Sequence, residues 1–393
     1  MVYAYPFIGF CLARGPATYT QEYRFDMKFT MERAALLSAL GHVQNVVERR
    51  NTIPILSNVL MSADDGRVNF TATDLDIEIT EGADANVAAP GDVTAPAHTL
   101  YDIARKLPDG AEVSLSIGAD GRLEVDAGRS HFTLPLLPPG DFPKLTADGF
   151  THDFTLAASD LARLIDKTRF AISTEETRYY LNGIYFHSAE GKLRCVATDG
   201  HRLALAEMAL PSGAENLPGI IIPRKTVAEL RRLIDGLSGD VTLALSDAKI
   251  RFGVGSAVLT SKLIDGTFPD YDRVIPKGND KELVIDNKVF ASAVDRVATI
   301  SAEKSRSIKL ALSENQLALS VNNPEHGDAN EDLMVDYNAE EMEIGFNAKY
   351  LLDVTGQIEG RDIHFYLADP AAPSLVKDTN DPGALFVLMP LRV

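Results

Sequence analysis

The chain has 393 residues, 45% of them hydrophobic, which is enough for several buried cores and, by length, for two to three domains. No run approaches ~20 unbroken apolar residues, so no helix spans a membrane. Cys11 and Cys195 show no metal-ligand spacing and cannot form a disulfide framework, and a reducing, cytoplasmic location is the default. The formal net charge of −18 argues against a nucleic-acid partner for the molecule as a whole, although one face can oppose the sign of the sum.

Residues 1–26 carry neither helical nor strand period and read as an extension before a start at Met27-Lys28-Phe29. From Phe29 the pattern is strand, helix, strand, strand. Leu36, Leu40, Val43 and Val47 form one helix face, with Thr30 as the expected N-cap. Val68, Phe70 and Ala72, then Leu75, Ile77 and Ile79, alternate as half-buried strands. A second helix is expected from Thr99 to Leu107, and Asp141-Phe142-Pro143-Lys144 closes the unit. The order then restarts at Phe154. Leu161, Leu164, Ile165 and Thr168 line a helix begun at Ser159 or Asp160. Leu193, Cys195 and Ala197, then Leu203 and Leu205, alternate, with Cys195 read as a small buried hydrophobe. A helix follows from Arg224 to Ile234, and Thr267-Phe268-Pro269-Asp270 closes the second unit. The third starts near Leu283-Val284-Ile285. It places Phe290, Ala293, Val294 and Val297 on a helix, Leu317, Leu319 and Val321 on a strand, and a last helix from Asn347 to Ile358.

Phe29 and Phe154, and Asp74 and Asp199, repeat at the same spacing of about 125 residues, too long for a solenoid unit and right for a domain. The expected fold is α+β: three repeated domains over 27–150, 151–280 and 281–393, each with two helices against antiparallel sheets.

Chemistry is nearly absent. There is no P-loop, dinucleotide fingerprint, His-Glu-x-x-His or Cys-x-x-Cys, so no metal or cofactor is expected. Thr198-Asp199-Gly200-His201-Arg202 holds an acid–base pair, and a hydrolase built on Asp199 and His201 is one reading. However, Asp74 occupies the matching place in the first unit without a histidine, which favours a turn. Arg105, Lys106, Arg224, Lys225, Arg231 and Arg232 gather on helices while carboxylates dominate elsewhere. That pattern fits a solvated helix face or a lining turned towards a polyanion. An unrelated three-domain scaffold is the remaining alternative.

Several stretches resemble one family. They are Met27-Lys28-Phe29, Thr73-Asp74-Leu75, Arg178-Tyr179-Tyr180-Leu181-Asn182-Gly183, Val196 to Leu203, Phe268-Pro269-Asp270-Tyr271, Glu343 to Asn347 and the terminal Met389-Pro390-Leu391-Arg392-Val393. Together, in order, they resemble the bacterial DNA polymerase III beta subunit, the sliding-clamp family. The resemblance implies a non-catalytic processivity factor. Two three-domain chains would join head to tail in a ring around duplex DNA, with helices facing the hole. Short linear motifs of the polymerase alpha subunit, the clamp loader, other polymerases and repair proteins would dock in a cleft between the second and third domains.

Carried over position by position, the resemblance implies cleft residues in three groups. From the second domain come Arg178, Leu181, Thr198, Gly200, His201, Arg202 and Leu203. The segment after it gives Pro269, Arg273 and Val274. The third domain gives Asn347, Tyr350, Val387, Leu388, Met389, Pro390, Leu391 and Arg392. Arg178, His201 and Arg202 are the expected polar rim. Ala371 and Pro373 depart from the family pattern. Arg50, Tyr179, Tyr180, Arg224 and Lys225 are the implied DNA-facing residues, with Glu175 where a neutral residue is common. Phe132 and Leu134 are implied to meet Thr299 and Ile300 of a second copy.

Overall fold

The computed structural model describes residues 27–146, 149–301 and 306–392, so the expected extension 1–26, and Cys11 with it, lies outside the described residues. Each expected repeat proves to be double, a strand-helix-three-strand unit used twice. The first domain holds β1 (Lys28–Glu32), α1 (Arg33–Val43), β2 (Asn58–Asp64), β3 (Arg67–Thr73) and β4 (Ile77–Asp84). After a short β5 (Asn86–Ala89) come β6 (Gly91–Pro96), α2 (Ala97–Lys106), β7 (Glu112–Ile117), β8 (Leu123–Ala127) and β9 (Ser130–Leu134). The second runs β10 (His152–Ala157), α3 (Ala158–Arg169), β11 (Gly183–Ala189), β12 (Lys192–Thr198) and β13 (Arg202–Ala209). It continues with β14 (Ile220–Pro223), α4 (Arg224–Leu233), β15 (Asp240–Leu245), β16 (Lys249–Val254) and β17 (Ala257–Lys262). The third runs β18 (Lys281–Asp286), α5 (Asn287–Ala298), β19 (Ser307–Ser313), β20 (Gln316–Asn323), β21 (Gly327–Met334) and a short β22 (Asp336–Tyr337). It ends with β23 (Met342–Asn347), α6 (Ala348–Thr355), β24 (Asp362–Leu367), β25 (Ser374–Lys377) and β26 (Ala384–Leu388).

The halves exchange strands. The lead strand of each half pairs antiparallel with the three-strand meander of the other, as β1 does with β7 and β6 with β2. The two helices of each domain pack on one another and on the sheets. Meanders also join across domains: β4 pairs with β17, and β13 with β26, giving sheets of eight and nine strands. Alternation follows from this layering. Phe29, Phe70 and Phe252 are fully buried on the helix-covered side of their strands, while the adjacent Lys28 and Asn69 are exposed. Cys195 lies in this core as expected, and burial pushes its thiol up to about 12.

Two local expectations fail. Thr30 lies in β1 and caps nothing, and Ser159 and Asp160 lie inside α3. These helices leave their strands without a capping side chain. Instead the first amide donates to a carbonyl of the neighbouring turn, Arg33 to Ala111 and Ala158 to Gly239, both at 2.8–2.9 Å. Among the described residues only α5 and α6 carry side-chain caps, Asp286 and Asn347. Leu75 belongs to no strand. It sits at the tip of a turn at φ +81° and is exposed.

Candidate functional sites at the domain seams

The seam between the second and third domains is built around Arg202. Its backbone opens β13 opposite Leu388, but its side chain is only 7% exposed. The guanidinium donates to Asp199 Oδ2 at 3.1 Å, to Asp353 Oδ2 at 2.5 Å and to the Phe170 carbonyl at 2.6 Å. Its flat faces lie on the rings of Phe170 and Tyr350, 5.1 and 4.4 Å from their centroids. Arg202 is therefore an interdomain clamp and not the polar rim residue expected of it. The fork geometry suits arginine alone.

The turn before it is equally committed. Asp199 Oδ1 accepts the amides of His201 and Arg202 at 2.9 and 3.0 Å. Gly200 stands at φ +86°, where an added Cβ would come within 2.4 Å of Arg178 Nη1. With both Asp199 oxygens occupied and His201 turned to the Tyr350 ring, 6.4 Å away, no acid–base pair forms. The hydrolase reading fails on this geometry.

Around the clamp lie the other implied cleft residues. Met389 donates its amide to the His201 carbonyl at 2.9 Å, and Leu391 to the Gly345 carbonyl at 2.8 Å, so the terminal segment crosses the seam. Leu181, Leu203 and Val387 form one apolar cluster with Phe268 and Tyr271, on the sheet face away from the helices. Leu388 alternates to the other side and packs in the main core. Asn347 caps α6. An open groove of about 740 Å³ runs past Asp270, Arg273, Val274, Ile275 and Pro276 to Pro373, with Val274 exposed. Arg178 is held by Glu175 through two short bonds, which lower the Glu175 carboxyl below its usual range and occupy both charges.

The seam between the first and second domains uses different chemistry. Lys225 reaches Asp74 Oδ2 at 2.5 Å, Glu48 at 3.4 Å and the Val46 carbonyl at 3.1 Å. Desolvation works against its charge, but these acceptors outweigh it and raise the ammonium pKa. Lys262 pairs with Asp76 at 3.0 Å. The expected DNA-facing Lys225 is thus spent largely on the joint. Beside it, Tyr179, Asn182, Pro223, Arg224, Ala228 and Ile264 line an open pocket of about 640 Å³. Tyr179 is exposed, whereas Tyr180 is half-buried against Gly266. Arg50 and Arg224 are exposed and have no ion pair among the described residues. Arg231 and Arg232 are paired with Asp166, Asp235 and Glu229.

Comparison with known proteins decides the family. Residues 27–146 match the N-terminal domain of the DNA polymerase III beta subunit, 155–270 its central domain and 272–392 its C-terminal domain. The chain belongs to the DNA polymerase III beta subunit family. It is 62% identical to the beta sliding clamp of Caulobacter vibrioides over 372 residues, covering 93% of this chain and all of the relative. It is 41% identical to that of Escherichia coli over 370 residues, with the same coverage. A Caulobacter crescentus clamp solved with PEG at its proposed beta-motif tethering region superposes with a TM-score of 0.92 at 62% identity, covering 94% of this chain and all of that one. A Bartonella birtlesii clamp bound to griselimycin superposes equally well at 52% identity and the same coverage. The protein is therefore a non-catalytic processivity subunit of the replicative polymerase, with the three-domain clamp fold.

Sequence reasoning missed Asp353, Arg163, Lys167 and Asp381. Arg163 donates to Asp381 at 2.9 Å and Lys167 to the Gln357 carbonyl at 2.5 Å, both across the second seam. Their partners lie some 200 positions away, and no local pattern announces them.

Proposed function

We propose that two copies close head to tail around duplex DNA and hold polymerases and other partners through the groove at the second seam. The observation that carries this reading is the one pair of equivalent strand edges left over among the described residues. β4 takes β17 and β13 takes β26, while β9 and β21, which hold the corresponding places in the first and third domains, end their sheets unpaired. Transferring the register of Ala257 opposite Glu81 and Ala384 opposite Ala206 sets Ser130 opposite Glu331 and Phe132 opposite Ala329 of the other copy. Leu259 and Phe386, the counterparts of Phe132, are fully buried at the internal seams, whereas Phe132 is half-exposed. Phe386 meets Phe170 at 5.8 Å, and Phe170 corresponds to Thr299, which supports Phe132 and Leu134 meeting Thr299 and Ile300. Ile300→Asp is expected to give folded monomers, because a charge would enter an apolar joint. A variant still dimeric at micromolar concentration would place the joint elsewhere.

Arg50, Lys106, Arg224, Lys288 and Lys349 are exposed cations without ion pairs among the described residues, and they supply backbone-only contact on an otherwise acidic body. The polymerase alpha subunit, the clamp loader, other polymerases and repair proteins would dock by short peptides on Val274, Met389 and their neighbours. The domain divisions at 27–150, 151–280 and 281–393 and a cytoplasmic setting belong to the same reading. Among the described residues no helix is long and apolar enough to cross a membrane. Retention on nicked circular DNA tests the ring. The protein should stay on the closed circle and be lost when the circle is linearised, and loss from both alike would overturn encirclement.

A further inference from the structure

The strap after β17, which carries Phe268 to Lys277, lies on the sheet face away from the helices and supplies one wall of the groove. It is held there by an aromatic stack. Phe268 lies flat on Tyr185 at 4.8 Å and 4°, Tyr185 on His187 at 4.5 Å, and the His187 ring meets Tyr271 at 5.7 Å. Tyr271 is 5% exposed, and its hydroxyl lies 3.0 Å from His187 Nε2 and 3.5 Å from Arg194 Nη1. The tautomer follows from the partners. His187 Nδ1 faces the Ser188 carbonyl, which can only accept, so the proton sits on Nδ1. Nε2 is then bare and receives the Tyr271 hydroxyl proton, while that oxygen accepts from Arg194.

The first domain provides an internal control. Its strap also carries a buried phenylalanine, Phe142, and packs on Leu60, the counterpart of Tyr185. Ser62, Asn69 and Leu145 stand where His187, Arg194 and Tyr271 stand in the second domain. That strap is held through its backbone instead: the Leu145 amide donates to Glu78 Oε2 at 3.0 Å, and Lys249 Nζ donates to the Thr146 carbonyl at 2.6 Å. The side-chain version, a histidine and an arginine on the tyrosine hydroxyl, occurs in the copy that flanks the groove.

We propose that His187 and Tyr271 are positioning residues for partner binding: they fix the strap, and through it the place of Pro269 and Val274, without touching the peptide. This rests on the groove being the peptide site. Burial and the facing Arg194 hold the His187 imidazole below its ordinary value of 6.5 and neutral, against Asp272 on the strap. Arg194 itself is anchored by Glu190 and Glu207, and Tyr185 completes the set of titratable groups around the ring. The seated strap binds fewer protons than the loosened one. Acidification below about pH 6.5 therefore favours the loosened state, and affinity falls as pH drops.

The test uses the full-length dimer and a fluorescein-labelled polymerase-tail peptide. Tyr271→Phe keeps the ring and should bind about three- to tenfold more weakly, the span of one net hydrogen bond. His187→Ala should lose more. His187→Gln, which can still accept from Tyr271, should bind near normally at pH 7.5 and lose the acid fall that the parent shows. His201 at the rim is a second imidazole, so the pH series is repeated on His201→Gln, which should keep the fall. Amides of residues 268–277 should exchange faster in Tyr271→Phe. Normal affinity in Tyr271→Phe and His187→Ala overturns the proposal, as does weaker binding without faster exchange of the strap. A chain lacking residues 389–393 separates the two readings: if it binds normally, the groove is not the peptide site.

Discussion

The two internal seams share a strand pairing and differ in which side brings the cation. At the first, Lys225 from the downstream domain reaches back to Asp74, and at the second, Arg202 from the upstream domain holds both Asp199 and Asp353. Asp74 and Asp199 are equivalent, so the anion is constant and the cation has moved. The consequence lies in what surrounds it. At the first seam Lys262 occupies the counterpart of Met389 and closes on Asp76, the counterpart of His201. At the second those two positions are an adaptable thioether and an imidazole near a tyrosine, and the interdomain charge is buried beneath them. One joint is sealed at its surface by ion pairs, while the other is sealed below, which leaves its surface free to recognise a partner.

The largest effect should come from removing that free surface. Deletion of residues 389–393 follows the last core strand, so the three cores should fold and dimerise while polymerase-tail peptide binding is abolished. Met389→Ala should give a milder defect on the order of 1–2 kcal/mol. Titration of labelled peptide together with sedimentation checks both, and unchanged affinity in the deletion would mean that the two seams do not differ in the way argued.

Next comes the buried clamp. Arg202→Ala leaves Asp199 and Asp353 facing an empty space and should destabilise the joint by about 3 kcal/mol, the scale of breaking a buried pair. Calorimetry should show the domains of the second seam melting earlier. If melting is unchanged and peptide affinity alone drops, Arg202 is a rim contact after all. Lys225→Ala should do much less, about 1 kcal/mol or below, because its ammonium is partly exposed and solvent screens the pair. Arg224→Ala is then the cleaner probe of DNA. It should weaken loading and lower its salt sensitivity alike on every sequence, with melting unchanged.

This contrast also marks the limit of reading the chain alone. The repeat, the strand alternation and the buried Cys195 were legible because each depends on neighbours within a few residues. The doubling inside each repeat was obscured, because the lead strand of each half pairs with the meander of the other, and short β5 and β22 interrupt the rhythm. Family motifs named Arg273 and Val274, which line the open groove, and also Arg202 and Lys225, which the structure shows already paired across the seams. Both are consumed by carboxylates 151 positions distant, Asp353 and Asp74. A charge pattern cannot show whether a cation is already neutralised.

The smallest effect sharpens the comparison at its least conspicuous point. Leu75 and Gly200 occupy the same place in equivalent turns, at φ +81° and +86°. For glycine that conformation carries no Cβ penalty, while for leucine it costs roughly 1–2 kcal/mol. At the second seam a side chain would in addition have to displace the guanidinium end of Arg178. At the first, Ile53 stands in the place of Arg178 and the turn tip faces solvent, so a side chain is tolerated sterically but not conformationally. Leu75→Gly should therefore stabilise the first domain by about 0.5–1 kcal/mol, the strain relief being partly offset by the freer unfolded chain. A raised melting temperature with unchanged peptide and DNA binding is expected. A lowered one would show that the exposed Leu75 side chain makes a contact worth more than its backbone strain, and that the first seam, too, keeps something at its surface.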